Sequence, residues 1–328
     1  MKIIFLTKEK SEEAYMQSKL PECTFVFKEG SLQAHPDLSD SEAEVLSVFV
    51  NSHVGAAEMG RFPKLKFIAT RSTGFDHIDI EEAHKRNIIV TTVPAYGVAT
   101  VAEFAFALLL SLSRKIREAG SRVAQGSFSQ EGLTGFDLFG KTIGIVGCGK
   151  IGLHAVKIAN GFGMQVLVYD VFQNQELAQK NNFTYATLEE LLSRADIVDV
   201  HLPYMKETHH LLNAEKLSKV KKGACLINTA RGGVIDTLAL AEAVKNGTLG
   251  GVGLDVLEAE DFMHGEAATQ PSEEEIRIVE ANRYLISHPR SLVTSHIAFD
   301  SQEALLRILD TTAENIAAFQ SGNPPKSV

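Results

Sequence analysis

Cysteine, excess positive charge and long apolar runs are all scarce in this sequence. Only three cysteines occur in 328 residues, Cys23, Cys148 and Cys225, and they lie far apart. An odd number without metal-like spacing argues against a disulfide framework and a structural zinc. Lys and Arg number 32 against 41 Asp and Glu, a net charge of −9. Binding a polyanion needs a basic surface that neutralises phosphates, so nucleic acid is not the expected partner. The longest apolar stretch, Val101 to Leu112, is interrupted by Glu103 and falls short of a membrane span. The N-terminal run Ile3-Ile-Phe-Leu6 is too short for a signal-peptide core. Together these absences point to a soluble protein in a reducing, cytoplasmic setting, with no membrane partner and no metal.

What is present is ordinary in amount. The chain is 45% hydrophobic and 22% charged, enough for a core of normal size. At roughly 150 residues per domain, its length predicts about two domains.

Short β-branched runs alternate with helical patterns, the sequence form of a parallel sheet with crossover helices. Lys2–Leu6, Val45–Val50 and Lys66–Thr70 are the expected strands of a first α/β unit filling about the first hundred residues. Thr100-Val-Ala-Glu103 has the form of a capping box, opening an apolar helix that runs to Lys115 or Arg117, with Gly120 as its stop. From Lys141 a more regular series begins. Its expected strands are Thr142–Val146, Gln165–Tyr169, Ile197–Leu202, Cys225–Asn228, Gly251–Val256 and Leu292–Thr294. Thr187-Leu-Glu-Glu190 caps one intervening helix and Gly247 ends another. Six such strands suit a complete doubly wound dinucleotide-binding domain. Asp300-Ser-Gln-Glu303 opens a last helix to about Phe319, and the acidic stretch from Glu260 to His288 reads as a loop with one helix. Helices near 100 and 300 imply that the chain crosses between domains twice, so the second domain is inserted into the first.

Thr142-Ile-Gly-Ile-Val-Gly147-Cys-Gly149-Lys150-Ile151-Gly152 is a strand running through G-x-G-x-x-G into a helix. Gly147 allows the tight turn, Gly149 lets backbone approach a pyrophosphate, and Gly152 lets helix pack closely on strand. The hexapeptide alone is weak evidence. Its context is stronger, because the next strand ends at Asp170, 21 residues beyond Gly149. A carboxylate there accepts hydrogen bonds from the adenosine ribose and repels a 2′-phosphate, selecting NAD over NADP. Val171-Phe-Gln-Asn174 supplies no Arg for such a phosphate. Cys148 reads as a small residue tolerated in the turn, and Lys150 either touches phosphate or faces water.

Three further segments stand where strands should end on the nicotinamide side: Asn228-Thr-Ala-Arg231, Asp255 to Glu260, and Thr294-Ser-His296-Ile-Ala-Phe299. Reducing a 2-oxo acid needs a cation to hold the carboxylate and polarise the carbonyl, and a proton donor titrating near neutrality. Arg231 has the planar fork for the first task and His296 the chemistry for the second. Glu260 is placed to favour the protonated imidazole. Taken singly, each has a structural reading: a capping Arg, one His among eleven, the edge of an acidic run.

Together these segments resemble the NAD-dependent D-isomer-specific 2-hydroxyacid dehydrogenase family, most closely its D-lactate dehydrogenase branch. The resemblance runs nearly end to end. It includes Arg71-Ser-Thr-Gly-Phe-Asp-His-Ile-Asp79, Val93-Pro-Ala-Tyr96, Val101-Ala-Glu103, the glycine turn with Tyr169-Asp170, and Asn228 to Asp236. Asp255 to Glu260 and Ser295-His-Ile-Ala-Phe299 complete it. It implies a Rossmann coenzyme domain, residues 100–296, inserted into a flavodoxin-like substrate domain, residues 1–99 with 297–328. It also implies a catalytic trio of Arg231, Glu260 and His296. Thr73 and Gly74 match a carboxylate-binding turn, while Tyr96 and Phe299 match the substrate side. Phe49 matches an aromatic pocket position. The coenzyme site gains Pro203, Thr229, Ala230 and Asp255, and the assembly implied is a homodimer. This chain departs from the family in carrying Ser295 where Pro commonly precedes the catalytic His, and Gly97-Val98 where the D-lactate branch often has Ser-Pro.

The expected activity is therefore NADH-dependent reduction of a small 2-oxo acid, pyruvate first, to the D-2-hydroxy acid. Two alternatives remain open at this point. One is a dehydrogenase for bulkier acids such as phenylpyruvate or 2-oxoisocaproate. The other is an NADH-sensing binding protein of the corepressor kind.

Overall fold

The computed structural model describes residues 1–264 and 270–328. The described chain forms two compact units, 1–96 with 301–328, and 97–264 with 270–300. It passes between them after Tyr96 and after Asp300, each time a few residues from the 99/100 and 296/297 boundaries expected from the sequence. A helix of the second unit starts at Val98, and that unit's Asp255 carboxylate holds the Ile297 and Ala298 amides. The last helix is capped by Ser301 rather than Asp300, its hydroxyl accepting from the Ala304 amide at 3.2 Å.

The first unit holds five parallel strands: β1 Lys2–Thr7, β2 Thr24–Glu29, β3 Val45–Val48, β4 Phe67–Thr70 and β5 Ile89–Thr91, ordered 2-1-3-4-5. Covered on both faces, β1, β3 and β4 are almost continuously buried and mostly apolar, with Ser47 the polar residue inside β3, as parallel strands tend to be. Ile4, Leu46, Ile68 and Val90 line one face. Ile3, Phe5, Val45 and Phe67 line the other, where Leu309, Ala313 and Ile316 of helix Gln302–Gln320 complete the core. Strands β2 and β5 are absent from the sequence-based assignment. The first is a half-exposed edge strand whose pattern is not distinctly apolar, and the second has three residues.

The second unit holds seven parallel strands: β6 Thr142–Val146, β7 Gln165–Tyr169, β8 Thr184–Tyr185, β9 Ile197–Val200, β10 Ala224–Asn228, β11 Leu249–Leu254 and β12 Ser291–Val293. Their order, 12-11-10-9-6-7-8, reverses direction between β6 and β9, the switch point at which doubly wound sheets bind their ligands. It has one strand more than the six expected, the two-residue edge strand β8. Strands β9 and β11 each end two residues earlier than expected, leaving His201-Leu202 and Asp255-Val256 in loops.

The apolar helix spans Val98–Ser113. Its first turn closes on Gly97, whose carbonyl accepts from the Val101 amide at 2.9 Å. Thr100 therefore lies inside the helix and the expected capping box does not form. Left-handed Lys115 (φ 52°) separates this helix from a second, Ile116–Ala124, so Gly120 is internal to a helix rather than a stop. The Thr187 cap does form, accepting from the Glu190 amide at 3.2 Å. Gly247 (φ 79°) comes just after the end of Thr237–Lys245. The acidic stretch carries two helices, Glu260–His264 and Glu273–Ser287, where one was expected. Its residues 265–269 lie outside the described residues. No described helix is long and apolar enough to cross a membrane.

Candidate active site

The glycine turn is built backbone against backbone. Gly147 has φ 96°, and a Cβ there would stand 2.8 Å from Leu202 and 2.9 Å from the His201 carbonyl oxygen. A Cβ on Gly152 would come within 2.1 Å of the Gly147 carbonyl oxygen, which forbids any larger residue. Exposed Gly149 is different: a Cβ there would meet nothing within 4 Å, so the turn has an open outer face. Gly149 is also the N-cap of helix Lys150–Gly161 and brings no side chain to its first amides. Those N–H groups and the positive end of the helix dipole suit an anion. The cradle fits a dinucleotide pyrophosphate. Lys150 is exposed and Ile151 half-buried in the helix's first turn.

Asp170 stands at the end of β7 and is tied to this turn. Its Oδ2 accepts from the Cys148 amide at 2.7 Å and its Oδ1 from the Phe172 amide at 2.8 Å. An ionised carboxylate has about four acceptor positions, so ribose hydroxyls can still be bound by the group that stiffens the phosphate loop. Burial, with the Asp170 charge in second place, pushes the Cys148 thiol up to about 11. It is therefore a neutral, weakly nucleophilic thiol at physiological pH.

Arg231 sits on a turn at the end of β10. Buried Asn228 clamps that turn, donating from Nδ2 to the Arg231 carbonyl at 3.0 Å and accepting at Oδ1 from the Ala230 amide at 3.0 Å. Half-buried Arg231 donates from one terminal guanidinium nitrogen to the Ala230 carbonyl at 2.8 Å. The hydroxyl of Thr229 is buried with no hydrogen-bond partner among the described residues. An unsatisfied buried hydroxyl is costly, and here it stands at the strand end where a coenzyme is expected. Pro203 is exposed, its carbonyl accepting from the Thr208 hydroxyl at 2.7 Å. After Arg231, a Cβ on Gly232 would stand 2.1 Å from the Leu257 carbonyl carbon, so the Arg231 turn rests directly on the segment leading to Glu260.

Glu260 and His296 meet. Glu260 Oε2 lies 2.9 Å from His296 Nδ1, while its Oε1 accepts from the Leu257 amide at 2.6 Å. Ionised, the carboxylate only accepts, so it holds a proton on Nδ1 and leaves Nε2 for a second partner. Both side chains are about one-quarter exposed, 25% for Glu260 and 26% for His296. His296 has φ 55° and Ala259, just before Glu260, φ 56°. Left-handed backbone at two non-glycine residues is the kind of strain held at functional sites by surrounding structure.

That surrounding structure is Asp255. This carboxylate, 1% exposed, is expected from the sequence to lie beside the nicotinamide; the structure shows it accepting from Thr294 Oγ1 (2.6 Å) and from the Ile297 (2.9 Å) and Ala298 (2.7 Å) amides. Nothing in the sequence signals this fastening role, because an Asp after a strand looks the same whether it faces ligand or loop. A second buried pair is absent from the sequence-based site: Asp199 Oδ2 lies 2.9 Å from His201 Nε2, the side chains 2% and 1% exposed, beside the glycine turn. An Asp inside Ile197-Val-Asp-Val200 is its available signal.

Thr73, Gly74 and Tyr96 belong to the first unit. The turn after β4 is held by Ser72 Oγ donating to the Gly74 carbonyl (2.7 Å) and Thr73 Oγ1 donating to the Val93 carbonyl (2.9 Å). Buried Arg71 anchors it, paired with Glu12 at 2.7 Å and lying 5.6 Å from the Phe49 ring centre. Phe49 thus stands beside the turn. Half-buried Tyr96 accepts at its carbonyl from Arg307 Nε at 2.8 Å. Phe299, in the second unit, is buried at 9% exposure.

Comparison with known proteins identifies the family. The profile of the D-isomer specific 2-hydroxyacid dehydrogenase NAD binding domain matches residues 106–298. A 2-hydroxyacid dehydrogenase homolog of Schizosaccharomyces pombe is 40% identical over 290 residues, 88% of this chain and 86% of that protein. A glyoxylate reductase of Korarchaeum cryptofilum is 34% identical over 291 residues, covering 88% and 82%. Among solved structures, D-lactate dehydrogenase from Aquifex aeolicus complexed with NAD and lactic acid superposes with a TM-score of 0.84 at 34% identity, covering 98% of this chain and 96% of that one. The chain belongs to the D-isomer specific 2-hydroxyacid dehydrogenases, a family of NAD-dependent oxidoreductases, and the larger unit is its NAD-binding domain.

Proposed function

We propose that this dehydrogenase reduces a small 2-oxo acid, pyruvate before others, to the D-2-hydroxy acid. The observation that carries the reading is the 2.9 Å pair of Glu260 and His296, on strained backbone beside the Arg231 turn. NADH, when bound, supplies the hydride. Arg231 binds the substrate carboxylate and draws electron density from the carbonyl through its planar cation. His296, as imidazolium, gives the proton at Nε2 to the carbonyl oxygen while Glu260 holds the proton at Nδ1. Thr229 and Ala230 line the coenzyme side, with Pro203, Lys150 and Ile151. In the first unit, the reading keeps the amides of Thr73 and Gly74 for a carboxylate, and Tyr96 on the substrate side. Phe299 is assigned to the substrate's apolar end.

A homodimer built on the coenzyme unit is part of the same reading. Helix Ile116–Ala124 has no buried residue, and Ile116, Val123 and nearby Phe128 are 58%, 49% and 81% exposed.

The test is NADH oxidation with pyruvate, glyoxylate, phenylpyruvate and 2-oxoisocaproate, with chiral analysis of the product. Highest kcat/KM for pyruvate with D-lactate as product is expected. Preference for glyoxylate or a bulkier acid keeps the chemistry and overturns the substrate. NADH binding without turnover of any acid overturns the reading in favour of a sensor.

A further inference from the structure

A second cluster of ionisable side chains lies outside the Glu260–His296 pair. His209 and His210 come after β9, and Glu258 after β11. Each offers one ligand atom, and the three atoms lie within 4.8 Å of one another. We propose that His209, His210 and Glu258 form a binding site for a divalent transition-metal ion of the zinc or cobalt(II) class.

Local structure assembles these groups in an unusual way. Adjacent side chains ordinarily diverge, yet the two imidazoles stack with ring centres 3.9 Å apart and planes inclined by 24°. The cause is His210 in left-handed backbone, φ 48°, its amide donating to the Gly233 carbonyl at 2.9 Å. Glu258 is held from behind. Fully buried Asn282 donates to its carbonyl at 2.8 Å, and a Cβ on Gly232 would stand only 2.3 Å from its amide nitrogen. Its Oε1 lies 2.7 Å from His210 Nε2. Tyr204 places its hydroxyl 3.1 Å from His209 Nδ1 and so orients the outer ring, the part that supporting residues play around metal ligands.

Two imidazoles and one carboxylate are a borderline-soft set that suits zinc and its neighbours, and three protein ligands leave a fourth position for water. His209 is exposed, so an ion has a route in. Without metal, His210 donates its Nε2 proton to Glu258. Binding requires that proton to move to the other ring nitrogen or leave, as metal ligation at imidazole always does. Ligands of a tetrahedral site with bonds of about 2.05 Å stand roughly 3.3 Å apart, so the 2.7 Å pair opens by about half an ångström. No metal is expected from the sequence, because that expectation rests on cysteine spacing and these ligands need no cysteine. The proposal does not depend on which acid the enzyme reduces.

The test is titration of the dialysed full-length protein with cobalt(II), monitored by its visible ligand-field absorption. Saturation at one equivalent is expected, with affinity reduced at least about tenfold in His209→Ala and in Glu258→Gln, and unchanged in His296→Ala. Because His209 is exposed, His209→Ala is the variant that decides. A wild-type titration without a saturable site, or one superimposable on that of His209→Ala, overturns the proposal. So does loss of the band in His296→Ala, which would place the ion on the Glu260–His296 pair.

Discussion

Asp255 is joined to His296 through the backbone and to residues on either side of it through its carboxylate. The His296 amide donates to the Asp255 carbonyl at 2.9 Å, and the Asp255 carboxylate gathers the Thr294 hydroxyl and the next two amides around the same loop. The left-handed histidine is thus over-determined from one buried acid.

Removing that acid should expose its importance. Asp255→Ala leaves a hydroxyl and two amides without their charged acceptor, a loss of about 3 kcal/mol. We expect a lower urea midpoint and a kcat reduced well beyond any change in NADH affinity. Wild-type kcat in a folded Asp255→Ala protein would contradict the fastening role.

Glu260 and His296 should behave as one unit. His296→Ala is expected to lower kcat by about 10²–10⁴-fold, with NADH binding close to wild type. Glu260→Gln should lower it less. The double variant should be no worse than His296→Ala alone, since groups acting together are non-additive. Steady-state kinetics on the three proteins, with NADH affinity from fluorescence, checks this.

Asp170 holds the glycine turn through the Cys148 and Phe172 amides, and if it also selects the cofactor its removal should leave two marks. Asp170→Ala is expected to reduce the preference for NADH over NADPH by at least about tenfold, about 1.4 kcal/mol. It should also weaken NADH binding, because the Cys148 and Phe172 amides lose their acceptor. A variant that discriminates as well as wild type would remove Asp170 from cofactor selection.

The Cys148 thiol offers a pH measurement. Burial raises it to about 11, so the reactive thiolate is scarce below that pH and accumulates only as pH rises towards it. Iodoacetamide labelling of Cys148, read by mass spectrometry, should be much slower at about pH 8 than for a free cysteine. The rate should still be climbing at about pH 10. A plateau near neutrality would refute the raised value.

The glycine turn was legible because its constraints are steric and local: Gly147 and Gly152 have no room for a Cβ, and spacing alone conveys that. Arg231, Glu260 and His296 became candidates only as a set, through resemblance, because 36 positions in sequence separate Glu260 from His296, which the fold brings together. Strand β2 was illegible for a physical reason. At a half-exposed edge, Phe25 and Phe27 stack on each other at 4.9 Å, and the run has neither the continuous burial of β1 nor strict alternation. The Thr100 box failed because a capping motif describes only its own four residues, while Gly97 had already closed the turn before it. The stacked His209 and His210 depended on the backbone angle of His210, which a His-His dipeptide does not specify.

The packing of Gln302–Gln320 on β1, β3 and β4 sets an order on synthesis. The first unit begins at the ribosome with five strands, but Leu309, Ala313 and Ile316 of its core emerge only after the whole second unit. Domains that fold as they are made ordinarily do so from the N-terminus. Here the coenzyme unit, complete once Asp300 has emerged, is the first to have all of its strands and helices available. The earlier-made sheet must wait with one apolar face uncovered until the returning helix closes it.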